Sequence, residues 1–150
     1  MRRVFVVVAS LLVVAEVIQF YFAAFGVFQS PAPEDAFLLH QMNGRMVLPL
    51  LCLLVIVAAA LARAPGRLIG FSAIPFGLLL LQIVLFLLAG LTGSTPEKTN
   101  LAGTIILGLH AVNGLCILGV TILLVRRASR FAAAARPPVA ATQAQAPVRS

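Results

Sequence analysis

Two histidines stand in the same short phrase. His40-Gln41-Met42-Asn43-Gly44 is echoed by His110-Ala111-Val112-Asn113-Gly114, that is, histidine, two spacers, asparagine, glycine. Each copy follows an apolar segment that carries one glutamine, Gln19 before the first and Gln82 before the second. Imidazole is the commonest side-chain metal ligand, so a histidine pair on facing helices suits a ligand held between them, and it equally suits a plain polar core. Residues at i, i+3 and i+4 share a helix face. Asn43 and Gly44 therefore lie on the face of His40, and Asn113 and Gly114 on that of His110. Asparagines so placed orient a ligand edge or tie helices together. Glycines there leave room beside the imidazoles for a flat macrocycle, or mark close helix packing.

The composition fixes where these phrases sit. Of 150 residues, 61% are hydrophobic and 10% are charged, too few charges for a water-facing surface. Four apolar runs, residues 4–28, 36–62, 68–91 and 101–125, each have the roughly 20 residues needed to cross about 30 Å of hydrocarbon. Lipid satisfies no backbone polar group, so each run is expected to be helical. The expected fold is all-α: an integral membrane four-helix up-down bundle spanning residues 1–127, built as a duplicated helical hairpin. In such a ring the second and fourth spans are diagonal partners, which sets His40 across from His110.

The net charge of +7 has a membrane explanation. Arg2, Arg3, Arg63, Arg67, Arg126, Arg127, Arg130, Arg136 and Arg149 all fall on one side of a four-span topology. Lys98, Glu34, Asp35 and Glu97 fall on the other. This is the positive-inside asymmetry, and it predicts a multi-pass plasma-membrane protein with both termini cytoplasmic. Anionic headgroups account for the basic residues without nucleic acid as a partner. The tail, residues 128–150, is rich in Ala, Pro and Gln and is expected to be disordered. At the front, Glu16 interrupts the apolar run, so it reads as an uncleaved span rather than a signal peptide. Pro65-Gly66 is expected to stop span two and turn the chain back. Thr95-Pro96-Glu97 reads as the cap and first turn of span four.

Counting about 1.5 Å per residue from the arginines puts Glu16, Gln19, Gln82, His110 and Asn113 at similar depths, roughly 20–24 Å from that face. Arg45 lies a little further along. Polar groups at such depth are expensive. Glu16 and Arg45 are candidates for a buried ion pair, and Glu16, Gln19 and Gln82 for an intramembrane polar network. Cys52 and Cys116 lack metal-ligand spacing and read as buried apolar residues, with no disulfide expected between them. There is no HExxH, P-loop or Ser-His-Asp arrangement, which removes the common hydrolase and nucleotide-binding classes.

From its arginine-rich start to Arg127, the chain resembles an uncharacterised family of small four-helix membrane proteins from actinobacteria. Gln19-Phe20, the His40-to-Gly44 phrase and Leu109-His110-Ala111-Val112-Asn113-Gly114 carry that resemblance. In architecture and in its two histidines it also resembles transmembrane b-type cytochromes, and one four-helix half of haem A synthase. That second likeness implies one haem b with His40 and His110 as axial ligands, and Arg45 or Lys98 toward the propionates. Three readings follow: a haem protein for redox or haem handling, a cofactor-free bundle that packs on a membrane partner, and a proton-coupled carrier using Glu16, Arg45 and His110.

Overall fold

The computed structural model describes residues 1–31, 33–95 and 98–134. These form an all-α bundle of four long helices: α1 (Arg2–Phe28), α2 (Leu38–Leu61), α3 (Gly66–Leu91) and α4 (Leu101–Ala133). Each is long and apolar enough to cross a bilayer, which suits a multi-pass membrane protein. α1 packs on α2 and α4, and α3 on the same two helices. The diagonal pairs are therefore α1 with α3 and α2 with α4, the up-down ring expected from the short connections.

The core follows helical periodicity. Phe5, Ala9, Leu12, Ala15 and Glu16 are buried along one face of α1. They meet Leu48, Cys52, Val55 and Ala59 of α2 and Ile117, Thr121, Leu124 and Ala128 of α4. The opposite faces expose large apolar side chains such as Val14, Leu50, Ile83 and Leu115, as a lipid-facing surface does. Tyr21 and Phe25 stack on that surface with centroids 6.1 Å apart. Cys52 is buried and Cys116 is exposed on another helix, both as free thiols.

Several boundaries differ from the sequence reading, each for a local reason. α4 runs six residues past Arg127, to Ala133. Ala128 is fully buried against the rest of the bundle, and Arg2 Nη1 donates to the Phe131 carbonyl at 3.3 Å. The beginning of the expected tail is thus packed helix, and residues 135–150 lie outside those described. α4 is capped by Asn100, whose Oδ1 accepts from the Gly103 amide at 2.8 Å, not by Thr95. Thr95 instead closes a turn with Lys98. The α2–α3 turn is made by Arg63, at φ +54°, rather than by Gly66. Arg63 N–H donates to Ala60 O and Ala64 N–H to Ala59 O, the paired bonds of a Schellman end. Gly66 opens α3 behind Pro65.

α2 contains a π-helical turn, Asn43–Val47, in which Leu48 N–H reaches back five residues to Asn43 O. Pro49 supplies the cause. A proline ring clashes with the carbonyl four residues earlier and donates nothing to it, and widening the preceding turn relieves both faults. The wide turn begins at Asn43, one turn after His40.

Candidate functional site

The histidine phrases lie at the end of the bundle opposite Arg2, Arg3, Arg63, Arg67, Arg126 and Arg127. His40 on α2 and His110 on α4 meet across the diagonal, with ring centroids 6.3 Å apart and planes 65° from parallel. Both are half-buried. Phe37 lies edge-on to His40 at 6.5 Å and Phe86 to His110 at 4.6 Å. Both phenylalanines are partly exposed, so they stand between the imidazoles and the lipid-facing surface.

Beneath each histidine is the same latch between the two helices of a hairpin. Gln19 Nε2 donates to the backbone carbonyl of His40 at 3.0 Å, and Gln82 Nε2 to that of His110 at 3.1 Å. Asn43 Nδ2 donates back to the carbonyl of Ala15 at 3.0 Å, and Asn113 Nδ2 to that of Leu78 at 2.9 Å. Ala15 and Leu78 each stand four residues before their glutamine. The duplication is therefore structural as well as textual. In each hairpin a glutamine and an asparagine cross-brace two helices through backbone carbonyls of the facing helix.

The two latches are not equally complete. In the first, His40 Nδ1 lies 3.1 Å from the Gln19 carbonyl oxygen. Only a protonated nitrogen can donate there, so Nδ1 carries the hydrogen and Nε2 a lone pair. Gln19 Nε2 donates to that lone pair at 3.2 Å, and Asn43 Nδ2 donates to Gln19 Oε1 at 2.8 Å. In the second, His110 Nδ1 and Gln82 Oε1 are buried without a hydrogen-bond partner.

The glycines do not leave open space beside the imidazoles, as the spacing alone implied. A Cβ on Gly44 would lie 2.8 Å from Gln19 Nε2, so the absent side chain is what admits the glutamine amide. At Gly114 the nearest neighbours are Phe20 at 3.4 Å and Gln82 Nε2 at 3.6 Å, ordinary contact. Gly26 and Gly90, which follow Gln19 and Gln82 by seven and eight residues, also differ: Gly26 packs on the Ala36 carbonyl and the Phe37 ring, while nothing lies near a Cβ built on Gly90.

Glu16 and Arg45 are not paired. Arg45 is exposed, whereas Glu16 is 3% exposed and accepts at Oε1 from Thr121 Oγ1 at 2.8 Å. Its Oε2 has no partner. Arg45 follows Asn43 by two residues, so the face that carries His40 and Asn43 toward α1 leaves Arg45 on the other side of the helix. Thr121 was missed because a threonine in an apolar helix normally bonds its own backbone. Here Oγ1 also lies 3.0 Å from Ile117 O. Phe37 and Phe86, too, were hidden among the many lipid-facing aromatics.

Residues 19–90 match a family of unknown function, DUF6220. The match opens on Gln19, takes in His40, Asn43, Gly44 and Gln82, and leaves out Ala15 and His110. No curated protein and no solved structure matches the chain.

Proposed function

We propose that the chain is a small membrane protein that holds one haem b between His40 and His110, for electron transfer or haem handling. The separation of the rings is the observation that carries this reading. Two metal–nitrogen bonds of about 2 Å, with about 1 Å more to each ring centre, set bis-imidazole centroids about 6 Å apart. The centroids stand 6.3 Å apart, on helices that are diagonal in the ring. The likeness to b-type cytochromes and to half of haem A synthase points the same way. So does His40, whose Nδ1–H···O=C bond is the usual support of a ligating imidazole and leaves Nε2 as the donor atom. Ligation would require His40 Nε2 to give up Gln19 Nε2, which keeps its bond to the His40 carbonyl. When bound, such a group would supply a one-electron couple, and His40 and His110 would hold it. The chain supplies orientation through the latches, and shelter through Phe37 and Phe86.

A second reading, a cofactor-free bundle that packs against a membrane partner, is favoured by one specific observation. The space beside Gly44 is filled by Gln19, and His40 is hydrogen-bonded at both nitrogens. A visible spectrum of protein purified from haem-replete cells separates the two. The haem reading expects a Soret band and low-spin spectra, lost in both His40→Ala and His110→Ala while the bundle still inserts. A colourless preparation with a folded bundle would leave the second reading in place.

In this proposal the arginine end is cytoplasmic, following the charge asymmetry. Single cysteines placed in the loop at residues 92–100, on a background lacking Cys52 and Cys116, should label from outside. Labelling only from the cytoplasm would reverse the orientation.

A further inference from the structure

At the arginine end, we propose that the groove between α1 and α4 is a binding site for an anionic phospholipid. The groove has a volume of about 380 Å³ and is lined by Arg3, Val6 and Val7 of α1 and Ser129, Ala132 and Ala133 of α4. Each trio is an i, i+3, i+4 set, so each helix contributes one continuous face. The walls divide by chemistry. Arg3 and Ser129 offer a guanidinium and a hydroxyl, and the valines and alanines offer an apolar floor.

The depth suits a headgroup. Arg2 Nη1 donates to the Phe131 carbonyl, which sets the start of α1 level with the last turns of α4, where Arg126, Arg127 and Arg130 lie. Arginines mark the plane at which a helix leaves the hydrocarbon. Two of them are already engaged: Arg2 lies over the Phe131 ring at 4.2 Å and Arg127 over Phe71 at 3.9 Å. Arg3 is exposed and lines the groove. A guanidinium binds a phosphodiester through paired N–H donors, and Ser129 adds a further donor. The apolar floor then meets the glycerol and the first methylenes, which a soluble phosphate lacks.

Charge selects the occupant. Among the described residues at this end are seven arginines, Arg2, Arg3, Arg63, Arg67, Arg126, Arg127 and Arg130, and no carboxylate. A second copy of the chain would bring the same positive charge to the same place and be repelled. A zwitterionic lipid would leave the charge unneutralised, whereas an anionic lipid neutralises it.

The test uses the full chain in detergent, with native mass spectrometry reading retention of added phosphatidylglycerol, phosphatidylcholine or glycerol phosphate. Phosphatidylglycerol should be retained in preference to both others. Arg3→Gln should weaken retention about fivefold, the effect of one basic residue at the surface. Ala132→Trp fills the groove without changing charge and should abolish retention. Val7→Trp repeats that test from the other wall, should the first variant fail to fold. Arg67→Gln removes the same charge at the same end, outside the groove, and should weaken retention much less than Arg3→Gln does. Equal losses in Arg3→Gln and Arg67→Gln would reduce the effect to bulk charge and overturn the site. Retention that survives both tryptophans would do the same. Retention of glycerol phosphate as strong as that of the lipid would make this a phosphate site instead. Retention that appears only after removal of residues 135–150 would assign the groove to the chain's own segment.

Discussion

Asn43 Nδ2 donates to Gln19 Oε1 at 2.8 Å, a side-chain bond that Asn113 and Gln82 do not repeat. The first hairpin is thus closed by a network in which Gln19 bonds His40 twice, accepts from Asn43 and offers its own carbonyl to the His40 ring. The second is closed by two bonds to backbone carbonyls.

Removing Gln19 should therefore cost more than removing Gln82. Gln19→Leu leaves His40 Nε2 unpartnered, and Asn43 keeps only its bond to Ala15. Interhelical hydrogen bonds in membranes contribute about 0.6 to 1.7 kcal/mol each, so Gln19→Leu should destabilise by about 2 kcal/mol and Gln82→Leu by about 1. Reversible unfolding in mixed micelles measures both. Equal losses would mean that the side-chain network adds nothing to the shared latch.

The glycines predict a second asymmetry. Gly44→Ala places a methyl group 2.8 Å from Gln19 Nε2 and must displace an amide held on several sides. The cost of such overpacking is about 1 to 3 kcal/mol. Gly114→Ala meets Phe20 at 3.4 Å and should change stability by less than about 1 kcal/mol. The comparison runs in the same unfolding assay, and a larger loss at Gly114 would refute it.

Glu16 and Thr121 should be coupled, and Glu16 and Arg45 should not. Thr121 Oγ1 is the hydrogen-bond partner of a carboxyl group that is almost wholly buried. A double-mutant cycle with Glu16→Leu and Thr121→Val should return a coupling of about 1 kcal/mol. The cycle with Arg45→Gln should be additive within about 0.5 kcal/mol. A large coupling to Arg45 would restore the ion pair that the exposed guanidinium argues against.

Arg63 holds the left-handed position of the α2–α3 turn, where a side chain costs about 1 kcal/mol relative to glycine. Arg63→Gly should raise unfolding stability by about that amount, and Arg63→Val should lower it. A destabilised glycine variant would show that the arginine head contributes more than its backbone costs.

The legible part of this fold was what periodicity and charge express. The four spans follow from apolar runs, and the ring follows from short connections. The repeat was visible because Gln, His, Asn and Gly recur in one order, and the structure gives that order a mechanical meaning through Ala15 and Leu78. What fills the space beside a glycine was not legible, since spacing on one helix says nothing of the reach of a side chain from the next. Gln19 was read as a neighbour of the site and is in fact its occupant at Gly44. Thr-Pro-Glu is a stronger local cap signal than Asn100, and the bonds that tie Asn100 to Thr92 and Ser94 depend on how the loop folds back on itself. Pro49 was the overlooked sign. It stands just after the wide turn, and widening that turn spares the clash of its ring with the carbonyl four residues earlier.

That wide turn has a further consequence, for what the chain can gain or lose in length. A π turn is an α-helix with one residue too many, and the segments on either side keep the facing they would have without it. Above it, α2 presents His40 and Asn43 to the bundle; below it, Leu48, Cys52 and Val55. α4 joins the corresponding stretches, Asn113 and Ile117, by uninterrupted α-helix. The segment at Asn43–Val47 is therefore a slack link, where one residue can be removed and the helix rewound with both faces still in place. The same deletion in α4 would swing everything beyond it by about 100° about the helix axis, carrying Thr121 away from Glu16. Two halves written in the same phrase thus tolerate shortening very differently.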